Sequence, residues 1–344
     1  MLSNRFGGIG QAFIDYNECL LSLGHSVQAV CHERGGWKEV VEEQMSTHPK
    51  LERLTVKYKG GPRALPEMLK IQLAVRSYQP DVIIIHNYLR LALMATWGIA
   101  PRVGITHMHK YKHLQKVAGV IALTDTLATA CREQAKVPSS RIHIIPNMIA
   151  GDIHAPMEIG SEPLTIGGLG RLDNDKGFHF LVESCILLKQ QGFPFRLKLG
   201  GVGFDQEKLK KRVQQAGLCD HVQFCGMIKD KARFFGEIDV LIVPSLQEAF
   251  GIIILEGMKF GVPVIASNIS GPASIITHGK TGLLVPPANP EAIAMAIRKL
   301  AVSPELAFQL AKAASYELRS KYAMDVVGNQ LNSALETIIQ NSND

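Results

Sequence analysis

Apolar positions along this chain fall into two alternating registers. Short runs of β-branched residues give way to longer stretches with apolar residues three and four apart, as expected when strands alternate with helices. DVIIIH at 81–86 and DVLIVP at 239–244 are the clearest strands. Both are continuous apolar runs, of the kind buried on both faces of a parallel sheet. In the first half the pattern predicts strands at 25–31, 54–58, 81–86, 102–106, 119–123 and 142–146, and helices over 12–23 and 65–77. In the second half it predicts strands at 164–168, 195–199, 222–225, 240–243, 264–266 and 282–285. Helices are expected there over 177–191, 206–216, 252–260 and 290–301, with a last one over 324–339. The intervening stretch holds Gly151, Pro156, Gly160 and Pro163 and reads as a linker. The expected fold class is therefore α/β, with two doubly wound, Rossmann-like domains. Their bounds are 1–148 and 164–322, with the linker at 149–163 and a crossover helix and tail at 323–344.

One element is out of pattern. Gly7-Gly8-Ile9-Gly10 leads into the first helix, yet no apolar run precedes it. By the family resemblance given below, a buried strand precedes such a loop, and a domain without it would leave ladder groups unpaired near the centre of the sheet. The expectation is a native start upstream of Met1, by roughly ten to fifteen residues, about one strand and its lead-in.

With 344 residues there is room for two substantial cores, and 46% hydrophobic against 20% charged residues fits a soluble enzyme. The six cysteines form no CxxC pair and no zinc spacing, so reduced thiols in a cytoplasmic protein are expected. No apolar run reaches the ~18 residues of a membrane span. Charge is uneven: residues 1–148 hold 18 Lys and Arg against 11 Asp and Glu, while residues 149–344 hold 19 against 20. The basic half suits an anionic partner, either a membrane surface or a lipid-diphosphate acceptor. Nucleic acid is not expected, because no binding motif accompanies the charge.

Four places carry candidate chemistry. Glu248 and Glu256 stand eight positions apart in PSLQEAFGIIILE, where the strand at 239–244 turns into a helix. Carboxyl ends of strands and helix N-termini are where doubly wound domains bind ligands, and Phe250, Gly251 and Ile252 can turn amides toward an anion or a hydroxyl. Gly168 to Gly177 (GLGRLDNDKG) also follows a strand and opens a helix. It lacks the GK[ST] ending of a P-loop. Arg171 and Lys176 within it suit a diphosphate, one as a bidentate fork and one as a point charge. The glycine loop at 7–10 brings backbone close to a ligand, with Gly8 as the amide contact. His107 and His109 follow the strand at 102–106, with the basic run Lys110, Lys112, His113 and Lys116 beyond. No third ligand accompanies the two histidines, which argues against a metal. A glycosidase pair is rejected for Glu248 and Glu256, because the intervening helix start aims them at different parts of a ligand. A dinucleotide fingerprint and a serine-hydrolase elbow are both absent.

PSLQEAFGIIILEGMKFGVPVIAS closely resembles the donor-sugar signature of the retaining family-four glycosyltransferases of GT-B fold. The GRL-x3-KG motif at 170–177 fits the same family, and the resemblance runs from about Leu164 to Ala301, more loosely over the N-terminal half. It implies two Rossmann-like domains facing a central cleft, with the C-terminal helix crossing back to the first. It also implies transfer of a sugar, with retained configuration and no metal or cofactor, from a UDP- or GDP-linked donor to a glycan or lipid-linked acceptor. By the resemblance Glu248 contacts the transferred sugar and Glu256 the ribose. Arg171 and Lys176 stabilise the leaving diphosphate, Met227 frames the base, and His109 (otherwise His107) reaches the reacting sugar. The implied setting is cell-surface polysaccharide or lipopolysaccharide synthesis, in the cytoplasm with peripheral contact to anionic membrane. Ser274 stands where the family usually has glutamate. The alternatives are a non-catalytic or impaired nucleotide-sugar-binding protein and, further off, a GT-B epimerase or phosphorylase.

Overall fold

A computed structural model describes residues 7–33, 38–57, 65–87, 89–107, 111–159 and 162–343. The chain divides into two compact units, one of Met1–Ala150 with Ala323–Asp344 and one of Gly151–Tyr322.

The first unit runs α1 (Gly8–Ser22), β1 (Val27–His32), α2 (Lys38–Thr47), β2 (Leu51–Val56), α3 (Leu65–Tyr78), β3 (Ile83–Ile85) and α4 (Leu89–Ala95). It continues with β4 (Arg102–Ile105), β5 (Gly119–Ala122), α5 (Asp125–Glu133) and β6 (Ile142–Ile144). All of its pairings are parallel, in a two-stranded ladder β1-β2 and a four-stranded ladder β3-β4-β5-β6. The two ladders share a core, since Val30 of β1 and Ile83 of β3 rest on one cluster of Val56, Ile71, Val75 and Ala95. The glycine loop is already helix: α1 starts at Gly8, not at 12. The expected missing first strand concerns residues before Gly7, which lie outside the described residues.

The second unit runs β7 (Leu164–Leu169), α6 (Phe178–Gln190), β8 (Phe195–Gly200), α7 (Gln206–Gln215), β9 (Val222–Gly226), α8 (Lys231–Gly236) and β10 (Val240–Val243). Then come α9 (Ile252–Lys259), β11 (Val264–Ser267), α10 (Ser270–Ala273), β12 (Leu283–Val285), α11 (Pro290–Ala301) and α12 (Pro304–Lys321). Its six strands form one parallel sheet in the order β12-β11-β10-β7-β8-β9. The chain builds outward from β7 to β9, then returns to the other side of β7 at β10. The order therefore reverses between β7 and β10, which are direct neighbours through Val240↔Ile166 and Leu241↔Gly167. In doubly wound sheets that reversal opens a crevice at the carboxyl ends of the two strands. The strands need no polar face, because both faces are covered: Ile166, Leu197, Leu199 and Ile242 are buried on one face with Leu181, Cys185 and Leu188 of α6 and Ile293 and Ile297 of α11, and on the other Gly257 of α9 lies against Leu241 and Val264.

Residues 151–159 are irregular, as their glycine and proline content predicts, but they are pinned within the second unit. His154 N–H bonds to the Lys259 carbonyl at 2.8 Å and Met157 N–H to the Gly261 carbonyl at 2.9 Å. The long α12 escapes the periodicity argument because much of its buried stripe is alanine (Ala307, Ala311, Ala314), which contrasts weakly with polar neighbours. The last helix, α13 (Met324–Asn343), belongs to the first unit. There it lies on α1 and β5: the Cα of Gly328 passes Cys19, and Ile338 fills the space beside Gly119.

Candidate active site

Two loops leave the sheet side by side at the reversal. Residues 170–177 follow β7 and residues 244–251 follow β10. They are stapled by two backbone bonds, Leu246 N–H at 2.8 Å and Gln247 N–H at 3.3 Å from the Asp175 carbonyl. The approach is close enough to dictate a residue. Gly177 lies in the left-handed region at φ 67°, and a Cβ there would stand 2.0 Å from the Pro244 carbonyl oxygen. Only glycine fits both conditions.

This staple brings Lys176 to Glu248, with Nζ and Oε2 2.5 Å apart and both side chains mostly buried. The cation assigned to a diphosphate and the carboxylate assigned to sugar hydroxyls thus come from different motifs, 72 residues apart in sequence, and meet in one place. Arg171 is held differently. Its guanidinium donates to Asp173 at 2.6 Å and lies 3.6 Å from Asp175, so its own loop neutralises part of its charge. Asp173 is fixed in turn by the Phe204 N–H at 3.0 Å.

Phe250 and Ile252 are buried side chains, so only their backbone can serve a ligand. Phe250 packs edge-on to Tyr322 at 6.1 Å between centroids. Gly251 starts α9 at φ 111°, with no side-chain cap and no acidic residue in the first turn. The unclaimed amides at such a helix end favour an anion. Beneath this loop a Cβ on Gly271 would lie 2.4 Å from the Glu248 carbonyl oxygen, so the start of α10 sets the height of the Glu248 backbone. Ser274, the departure from the family pattern, caps α10: its hydroxyl donates to the Gly271 carbonyl at 2.6 Å, and its carbonyl accepts from Tyr322 at 3.2 Å.

Glu256 is not beside Glu248. It is a buried residue one turn into α9 and takes Lys231 Nζ at 2.6 Å, from the first residue of α8. Met227 is half-exposed at the end of β9, the edge strand, two strands from β7. That is a lateral offset of about 10 Å. Sequence reasoning missed Lys231, because no spacing rule ties residues at 231 and 256.

In the first unit His107 follows β4 and His86 follows the neighbouring β3. His86 Nδ1 and His107 Nε2 are 3.0 Å apart, with the rings nearly parallel at 14°. Phe13 and Tyr16 of α1 present their edges to His86. Burial pushes the His107 imidazole down to about 3. Burial first, and His107 second, holds His86 well below the ordinary histidine range. Both rings are neutral at pH 7, so one donates and the other accepts across the shared bond. His86 was legible only as the end of a strand. His109 lies outside the described residues. Gly8 opens the first turn of α1 behind Gly7, whose carbonyl takes Gly10 and Gln11 N–H; no side chain caps that end.

Both halves match family models. Residues 6–150 match glycosyltransferase family 4 and residues 151–316 match glycosyl transferases group 1. The chain belongs to the glycosyltransferases. The lipopolysaccharide core biosynthesis glycosyltransferase LpsD of Rhizobium meliloti is 24% identical over 335 residues, covering 92% of this chain and 91% of that protein. The alpha-D-kanosaminyltransferase of Streptomyces kanamyceticus is 26% identical over 63% of this glycosyltransferase, which spans only 60% of that relative's length. Among solved structures, Anabaena Alr3699/HepE in complex with UDP-glucose superposes with a TM-score of 0.83 over 98% of both chains, at 20% identity. That likeness carries the fold, GT-B, with its two Rossmann-like domains and C-terminal helix.

Proposed function

We propose that this glycosyltransferase moves a sugar from a nucleotide-diphosphate donor to a hydroxyl of a glycan or lipid-linked acceptor, with retained anomeric configuration and without a metal. The observation that carries the reading is the meeting of Lys176 and Glu248 beside the uncapped start of α9. A nucleotide sugar has its anionic diphosphate bonded directly to its hydroxyl-rich ring. A site for it must therefore put a cation and a hydrogen-bond acceptor side by side.

On this reading the diphosphate takes Lys176, Arg171 and the amides of 250–252, while Glu248 accepts from the sugar hydroxyls. As the glycosidic bond breaks, negative charge grows on the leaving β-phosphate, and these cations stabilise it in place of a metal. A β-phosphate oxygen takes the acceptor proton on the same face, which keeps the configuration. Glu256, held by Lys231, receives the ribose hydroxyls, and Met227 borders the base. His109, or His107, addresses the reacting sugar. Relatives named for polysaccharide and lipopolysaccharide synthesis support a cell-surface glycan pathway at the membrane's inner face.

The test is a calorimetric screen of UDP, GDP and their sugar conjugates, followed by proton NMR of the product made by the wild-type chain in EDTA. One nucleotide sugar should bind and lose its affinity in Lys176→Ala and Glu248→Gln. The product anomer should match the donor's. An inverted product, or turnover abolished by EDTA and restored by a divalent ion, would sink the mechanism.

A further inference from the structure

The exposed face of α3 is apolar. Ile71 and Val75 turn inward to the core. On the other side Leu65, Leu69 and Leu73 lie one helical turn apart along a single line, each 58–69% exposed. A surface helix normally keeps that side polar. The neighbouring α4 joins α3 in one cluster, Ala95 lying with Ile71 and Val75, and the α4 segment also sets Met94 and Trp97 outward, 52% and 72% exposed. Five large apolar side chains on two packed helices exceed the scattered exposure of an ordinary surface.

Apart from Glu67, the charges on α3 and α4 are basic. Lys70, Arg76 and Arg90 are exposed on these helices, and Arg102 reaches over the Trp97 ring at 5.8 Å from its centroid. Beyond α4 lies the turn at 114–116, joined to it through Leu93 and Leu114. Desolvation, then the charges of Lys116, Lys112 and Arg90, hold the His113 ring below its ordinary range, which places those three cations within one local field. Along α3 and α4 the only acid is Glu67, and it already accepts the Lys57 N–H at 2.9 Å.

We propose that the outer faces of α3 and α4 form a docking surface for an anionic lipid bilayer. The leucines and Trp97 enter the headgroup boundary, and Arg76, Lys70, Arg90 and the 112–116 turn meet the lipid phosphates. Amphipathic in-plane helices bind by this combination of buried apolar area and basic charge. A second copy of the chain fits less well. A two-fold contact along the leucine line would bring the Arg76 and Lys70 of both copies into one seam, with Glu67 the only acid of these helices to pair them. The surface deepens the proposed lipid-linked acceptor and rests on that reading for its purpose, while its binding is measured without donor or acceptor.

The experiment uses Trp97 as its own reporter, in the full chain with Trp37→Phe, since the protein has two tryptophans. Vesicles of phosphatidylcholine, with and without about one-third phosphatidylglycerol, are titrated in. Trp97 emission should shift to the blue on the anionic vesicles, and co-sedimentation should be at least tenfold stronger on them, falling in about 0.5 M salt. Leu69→Gln with Leu73→Gln should weaken sedimentation at least tenfold. Arg76→Gln with Arg90→Gln should weaken it on anionic vesicles alone. Nucleotide binding, followed by calorimetry on the same variants, should stay as in wild type. Trp97 emission unmoved by anionic vesicles overturns the proposal, as does a leucine variant that sediments like wild type. A leucine-dependent dimer in sedimentation velocity without vesicle binding also overturns it, and gives the face to a second copy. Loss of nucleotide binding in the wild type would instead count against the transferase reading and leave the vesicle result intact.

Discussion

The two units solve the same folding problem with different completeness. In the second, six strands join one sheet over one large core, and the loops of the candidate site hang from its centre. In the first, the described strands form two ladders, with smaller clusters gathered around Leu51, Val120 and Ile71 among the described residues. Among the described residues, the buried side-chain atoms without a hydrogen-bond partner also concentrate there, including Tyr16 Oη, Asn17 Nδ2, Tyr78 Oη and Asn147 Oδ1. Each such group costs on the order of 1–3 kcal/mol. The difference teaches where polar pairing is concentrated: among the described residues the unpartnered buried side-chain atoms lie in the first unit, while the charged side chains of the second unit's candidate loops are paired.

The comparison breaks most sharply if the loops of the second unit are structural ornaments. Lys176→Ala or Glu248→Gln should lower kcat/KM by roughly 10²–10³-fold, the usual cost of removing one preorganised charge. Thermal stability should fall as well, because each variant leaves the other charge of a mostly buried pair without its partner, but the loss of turnover should persist in the fully folded protein. A variant that unfolds early but turns over normally when folded would assign the pair to the scaffold.

Gly271→Ala tests the same loops without touching a charge. The new Cβ cannot stand 2.4 Å from the Glu248 carbonyl, so the 248–250 backbone must lift. A displacement of about 1 Å at a reacting group costs on the order of 100-fold. Donor affinity and kcat should fall together, and the remote Gly192→Ala, strained at φ 67° but with nothing within 4 Å of its Cβ, should cost some stability and leave both intact. Equal behaviour of the two variants would remove α10 from the site.

How much of this was legible in the chain differs between the units for physical reasons. The strands of the second unit are buried on both faces, so DVLIVP could hardly be misread, and its loops carry charge at strand ends where the fold rule places ligands. The Lys176–Glu248 contact itself needed the β7–β10 adjacency, which no local pattern encodes. In the first unit α4 (LRLALMA) is apolar all round and has no period to read. His86 looked like the last residue of a strand; its partner, His107, lies on another strand, and only the parallel register of β3 with β4 brings them together.

That histidine pair gives the first unit an acid weakness. The sign follows from the depressed value: the unfolded chain protonates His107 near pH 6.5, while the folded chain resists until about 3. The stability is complete above pH 6.5 and is lost as pH falls toward 3, at about 1.4 kcal/mol per pH unit for this one group. By pH 5 the loss is about 2 kcal/mol. Calorimetric unfolding between pH 7.5 and 5 should show the decline in wild type and a shallower one in His107→Gln. Equal slopes would mean that the pair is open to protons in the folded state.

The smallest effect sharpens the second unit most, because it separates binding from chemistry. Lys231 holds Glu256 at 2.6 Å from the first residue of α8, an ion pair distinct from that of Lys176 with Glu248. Lys231→Ala leaves Glu256, nearly buried on α9, to be hydrated or to swing. Lys231 itself is partly exposed, but Glu256 is buried, so the cost to folding should be on the order of 1–3 kcal/mol. If Glu256 receives the ribose, the loss falls on ground state and transition state alike, since the ribose does not change during transfer. Donor KM should then rise about five- to tenfold with kcat nearly unchanged, the pattern of uniform binding. Lys231→Arg, which keeps the charge, should recover most of it. A fall in kcat at constant KM would instead place Glu256 at the reacting end of the donor, beside Glu248.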